Sequence, residues 1–78
     1  MLDRVVEERH LQLADAHIVL AVNLIARMER LAQGSRERGH DAQPATRSLS
    51  AMRAVLSAFH AHRNYIVQAI SDIDAGKL

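Results

Sequence analysis

The sequence predicts an all-α protein, an antiparallel two-helix hairpin that assembles with further copies of itself into a four-helix bundle. Three observations carry this reading. Two long segments of matched length each place their apolar residues on one side of a helical wheel. A short stretch containing Gly34, Gly39 and Pro44 separates them. The chain has 78 residues, 49% of them hydrophobic, but Phe59 and Tyr65 are its only aromatic residues and it has no cysteine. A core of Leu, Ile, Val and Ala in so short a chain is thin, and no disulfide or zinc knuckle is available to staple it. Association is the remaining route to burial. The whole chain, 1–78, therefore reads as a single helical-hairpin domain whose partner is itself, as a homodimer or tetramer.

The first helix is expected over about 3–33. Its apolar residues repeat every seven positions along four neighbouring lines: Val6, Leu13 and Leu20; His10, His17, Leu24 and Leu31; Leu11, Ile18, Ile25 and Ala32; Ala14, Ala21 and Met28. Glu8, Asp15 and Glu29, with Arg9, Asn23 and Arg30, take the opposite side. At 1.5 Å per residue the helix should be about 45 Å long. Glycine accepts the left-handed conformation that closes a helix, so the stop is expected at Gly34-Ser35 or one turn later at Gly39. A loop over about 34–41 follows.

The second helix is expected over about 42–75, with Asp41 as its N-cap and Pro44 in the first turn, where a missing N–H does no harm. Its stripe is Ala45, Leu49, Met52, Leu56, Phe59, Arg63, Ile66, Ile70 and Ile73, in alternating steps of three and four that define a coiled-coil seam. A short connection between helices of equal length forces them antiparallel, and two helices cover only part of each apolar arc. Val19 and Val22 point away from the main stripe of the first helix. Ala51, Ala54, Ala58 and Ala61, ending at Tyr65, line the back of the second. Small residues at that spacing permit the close approach a tetramer would use, and they equally suit a solvated helix, because alanine is the best helix former.

Net charge is +1, too little to draw the chain to nucleic acid or to an anionic surface. Its distribution is uneven. Between Arg27 and Arg53, six arginines face Glu29, Glu37 and Asp41, a balance of +3; the remainder carries Arg4, Arg9, Arg63 and Lys77 against six acids, a balance of −2. In a hairpin the loop end is therefore basic and the open end acidic. Two copies lying head to tail would be complementary, whereas a loops-together pair would juxtapose like charges. The arginines near the loop are interspersed with acids and lack an aromatic platform, so the nucleic-acid signal is weak. Residues 1–10 alternate charges where a secretory leader needs an apolar run, and the longest apolar stretch, 18–22, is far too short to cross a bilayer. A cytoplasmic protein with no membrane partner is the expectation.

The polar residues on the apolar arc are the candidates for chemistry. His10 and His17 are expected in its buried middle, and antiparallel pairing brings His17 level with His60, His62 and Arg63, a polar cluster interrupting the core. Ligands for one metal ion on a single helix stand three or four residues apart, whereas His10 and His17 are seven apart and His60 and His62 point in nearly opposite directions. A metal site would have to form between helices. Glu7 and His10 have the Glu-x-x-His spacing of carboxylate-bridged di-metal bundles, but such sites also need glutamates from two further helices, and 42–75 contains none. Metal binding through His10, His17, His60, His62 or Glu7 is thus the alternative to a purely structural role, and a pH-responsive oligomer is a third reading. Arg63 within an apolar seam needs a carboxylate, for which Asp15 of a neighbouring chain is a candidate. No cofactor and no catalysis are expected: there is no cysteine, no glycine-rich phosphate loop and no close pair of buried carboxylates, and the serines have no evident base.

Ala14-Asp15-Ala16-His17-Ile18, then Gly39-His40-Asp41, Ala45, Leu49 and His62-Arg63, resemble in order and spacing a group of short, uncharacterised helical-hairpin proteins of rhizobia-like alphaproteobacteria. The likeness covers about 14–66. It implies a helical hairpin, adds no activity, and points to His17, His40, Asp41, His62 and Arg63. Val19, Ala21 and Val22 depart from it by standing where the pattern has charged and polar residues. Gly39 and Asp41 already have roles as turn and cap; His40 has none beyond lying in the loop. The function expected is that of a small self-associating protein-interaction or regulatory module, whose partner is another copy and possibly another protein.

Overall fold

The computed structural model describes residues 3–77 and consists of two helices, α1 (Arg4–Glu37) and α2 (Gln43–Asp74), folded back on each other as a rod of 59 × 15 × 14 Å. α1 starts at Asp3, whose side chain accepts the Val5 N–H at 2.9 Å and whose carbonyl accepts the Glu7 N–H at 2.9 Å. These bonds satisfy donors that the first helical turn leaves unpaired. The negative end of Glu7 in that turn also suits the helix dipole.

α1 does not stop at Gly34. It runs one turn beyond the expected 33, because the interior of a helix tolerates glycine at a cost of about 1 kcal/mol, and the chain changes direction only where a left-handed residue is required. That residue is Gly39, with φ +72°. Around it the His40 N–H donates to the Ser35 carbonyl at 2.8 Å and the Gly39 N–H to the Arg36 carbonyl at 3.0 Å. This bonding pattern, a Schellman motif, satisfies carbonyls that the last turn would otherwise leave open. His40 therefore has a structural role through its backbone, which its side-chain type does not reveal. α2 ends the same way at Gly76, also φ +72°, with Lys77 donating to the Asp72 carbonyl at 2.8 Å.

The start of α2 also lies one residue later than expected. Ala42 occupies the cap position, and its carbonyl accepts both the Thr46 N–H at 2.9 Å and the Thr46 hydroxyl at 3.0 Å. Asp41 stands one step earlier and still serves the helix, since its side chain accepts the Gln43 N–H at 2.9 Å. Pro44 lies in the first turn, where its ring costs no hydrogen bond.

Between the helices the best-buried residues are Ala14, Ala21, Ile25 and Ala32 of α1 and Leu49, Ile66 and Ala69 of α2. Ile25, Ala32 and Leu49 form a cluster towards the loop, with Met28, Ala45, Met52 and Leu56 against it. Alanines at this contact let the axes come close, but they bury little area. Among the described residues no large side chain is fully enclosed. Among the described residues three ion pairs across the hairpin fix its alignment: Arg4 with Asp74 at 2.7 Å at the open end, Arg63 with Asp15 at 2.5 Å, and Arg53 with Glu29 at 3.7 Å towards the loop. All are largely exposed, so they set register more than they add stability.

Candidate interaction face

The apolar arc of α1 divides into two halves, and α2 covers only one. Leu11, Ala14, Ile18, Ala21, Ile25, Met28 and Ala32 are buried or half-buried against α2. Val6, Leu13, Leu20, Leu24 and Leu31 lie on the adjoining half and are 37–60% exposed. Together with His10, His17 and Arg27 these residues step by four and three along α1, the spacing of a coiled-coil seam. Isolated exposed leucines are ordinary on a soluble surface. A stripe along most of a long helix is not, which makes this half of α1 the candidate interaction face.

His10 and His17 belong to this uncovered half and are exposed, which differs from the expected placement in the buried middle of the arc. The reason is rotational. Contact with α2 is centred on the alanine line, so the line holding the histidines falls outside it. His10 Nδ1 lies 3.5 Å from a carboxyl oxygen of Glu7, and Glu7 is 7% exposed, the one buried polar side chain among the described residues. The His17 ring packs against Phe59 with centroids 5.6 Å apart and planes tilted by 33°. His60, His62 and the loop residue His40 are exposed.

Arg63 is half-exposed, not enclosed in the seam, and its carboxylate is Asp15 of its own chain. No neighbouring molecule is needed to neutralise it. His17, His62 and Arg63 stand at one level of the hairpin, but no hydrogen bond links them among the described residues. Nor does the fold bring three His, Asp or Glu side chains together in a form able to hold a metal ion, among those residues. At the open end Arg4 also bonds Glu8 and reaches the second Asp74 oxygen at 3.2 Å. The hydrogen bond from Arg4, aided by the guanidinium charge, holds the Asp74 carboxyl below the ordinary carboxylate range, and Asp74 raises Arg4 in return.

On the opposite side of the hairpin a groove of about 560 Å³ lies near the loop, with Ala32 and Leu49 in its lining and Arg30, Arg36 and Arg53 around it. Glu29 contributes to the same lining and pairs with Arg53, so the basic character of the groove is partly offset.

α1 is long and apolar enough, by length and composition, to cross a membrane: its best 18-residue window has a mean hydropathy of 1.3, and 17% of that window is buried. The continuous apolar run is short, yet the uncovered stripe and the alanine line together raise the average of the whole window.

The chain thus defines a class, the two-helix antiparallel hairpin with one helix half-covered. No family model, curated protein or solved structure matches it.

Proposed function

We propose that this protein is a self-associating helical module that works as an interaction or regulatory component, with the uncovered half of α1 as its binding face. The observation that carries the reading is the exposed stripe of Val6, Leu13, Leu20, Leu24 and Leu31. Stripes stepping by three and four residues are complementary to other helices, because a side chain on one helix fills the space between side chains on the next. The exposed Val5, Val19 and Val22 lie off this stripe, and the stripe itself carries His10, His17 and Arg27 at regular steps, which a lipid surface would have to dehydrate. A helical partner accommodates such polar residues and water does not have to be excluded from them.

Native mass spectrometry of protein purified without a histidine tag tests this reading. An even-numbered oligomer is expected, and sedimentation should show it persisting at micromolar concentration. A folded monomer at all concentrations would overturn the proposal, as would recovery of the protein on neutral lipid vesicles with no oligomer in solution.

Metal binding is the second reading, favoured by the buried Glu7 beside His10 at the edge of the open face. Ligands from more than one chain would have to complete it. Zinc would then raise the melting temperature by mass action, and His10→Ala would abolish the rise; an unchanged melting temperature at millimolar zinc would exclude this reading.

A further inference from the structure

We infer that the occupant of the uncovered face is the α1 helix of a second copy, running antiparallel to the first about a two-fold axis that passes between Ile18 and Val19, so that the hairpins lie head to tail. This rests on the self-association proposed above and specifies its geometry.

Four observations point to it. The first is area. A folded monomer of 8.7 kDa is expected to expose roughly 4,700 Å², whereas this rod exposes 5688 Å². The difference, about 1,000 Å², is close to the roughly 800 Å² that each partner contributes to a stable interface. The second is the self-complementarity of the stripe. When one copy is read forwards and the other backwards from the point between Ile18 and Val19, Val6 comes level with Leu31, Leu13 with Leu24 and Leu20 with His17. Every large apolar residue of the stripe then meets a partner, and a shift of one heptad in either direction leaves an end of it uncovered.

The third is the polar layer. In this register His10 is level with Arg27 of the second copy, one helical turn from Glu7. The Glu7 carboxyl is buried, its ion-pair partner among the described residues is His10, and no ion pair among those residues holds Arg27. Arg27 of the second copy can donate to that carboxyl, and the symmetry makes the contact twice. The fourth is charge. Antiparallel α1 helices place the loop end of one hairpin, +3, beside the open end of the other, −2. One pairing opposes the arrangement: Arg9, level with Met28 of the second copy, lies within a helical turn of that copy's Arg30. Both are exposed and so are screened by salt.

The chain has no cysteine, so Ser35→Cys introduces a unique attachment point near the loop for a nitroxide label. In the inferred geometry the two labels of a dimer lie about 50 Å apart along the axis, since each residue from the two-fold adds 1.5 Å on either side. A register one heptad away would change the separation by about 10 Å. A pulsed-dipolar distance near 50 Å supports the inference. A distance near 40 or 60 Å overturns the register. A distance under about 25 Å, meaning loops together, overturns the orientation while leaving self-association standing. A folded monomer sinks both the inference and the proposal beneath it. Independently of the label, Arg9→Glu should tighten the dimer several-fold at low salt and Arg27→Glu should weaken it by a larger factor. If both variants dissociate like the parent, the antiparallel α1 contact is wrong.

Discussion

The two halves of the α1 arc differ in what they carry, and the difference runs against what a self-sufficient monomer would need. The half that packs on α2 interleaves the small residues Ala14, Ala21 and Ala32 with Leu11, Ile18, Ile25 and Met28, whereas the half left open carries Val6, Leu13, Leu20, Leu24 and Leu31. Burying a leucine fully is worth about 1.5–3 kcal/mol, against far less for an alanine. A substantial share of the hydrophobic free energy encoded in α1 is therefore not realised within one hairpin. The covered half sets the shape and alignment of the chain, and the open half is the face to which the proposed association is assigned.

Substitutions that act on one half at a time can break this comparison. The largest effect is expected in the covered half: Leu49→Ala, in the cluster with Ile25 and Ala32, should cost about 2–5 kcal/mol in urea denaturation. The loss should appear in the stability of the hairpin itself. Leu20→Asp, in the open half, should raise the dimer dissociation constant by roughly a hundredfold, about 2.7 kcal/mol. Sedimentation would measure it, and helix content by circular dichroism at high protein concentration should change little. If Leu20→Asp instead unfolds the chain at every concentration while Leu49→Ala is silent, the roles of the two halves are reversed.

Smaller effects sharpen the picture at the ends. Gly39→Ala forces a β-carbon into the left-handed region that closes α1, and should destabilise by about 1–2 kcal/mol. Gly34→Ala should do the opposite, gaining about 0.5–1 kcal/mol, because the new methyl group meets only the flexible tip of Arg38 at 3.1 Å. A thermal melt of the pair distinguishes a helical glycine from a turn glycine. The smallest effect concerns acid. Since the folded-state Asp74 carboxyl titrates below its unfolded value of about 3.9, its contribution is present above that value and is lost as pH falls through the lower, folded one. Asp74→Asn should flatten that part of the acid-unfolding curve and leave the rest of it unchanged.

Much of this architecture was legible from the pattern of residues. The seven-residue repeat of 3–33 and the three-four stripe from Ala45 to Ile73 require two long helices, and their equal length with a short connection requires an antiparallel hairpin. The boundaries were less legible. Gly34 and Gly39 are the same residue type five positions apart, and only the backbone conformation separates the one that interrupts nothing from the one that ends the helix. The Asp41 side chain serves α2 as expected in kind, but Ala42 takes the cap position, because the choice between adjacent residues depends on where the turn delivers the chain.

The candidate face was legible in content and hidden in placement. All four apolar lines of α1 are visible in the sequence, but not which two of them α2 takes. That depends on the rotation of α1 about its own axis, which the alanines decide by permitting the closest approach, and this same rotation leaves His10 and His17 exposed and places Asp15 beside Arg63 in one chain. Sequence periodicity alone determined that two helices form and that more apolar surface exists than they can share, because helix geometry and side-chain volume are local properties. The tertiary structure alone decided which half of that surface stays open, because the packing of two helices is settled by the whole interface at once.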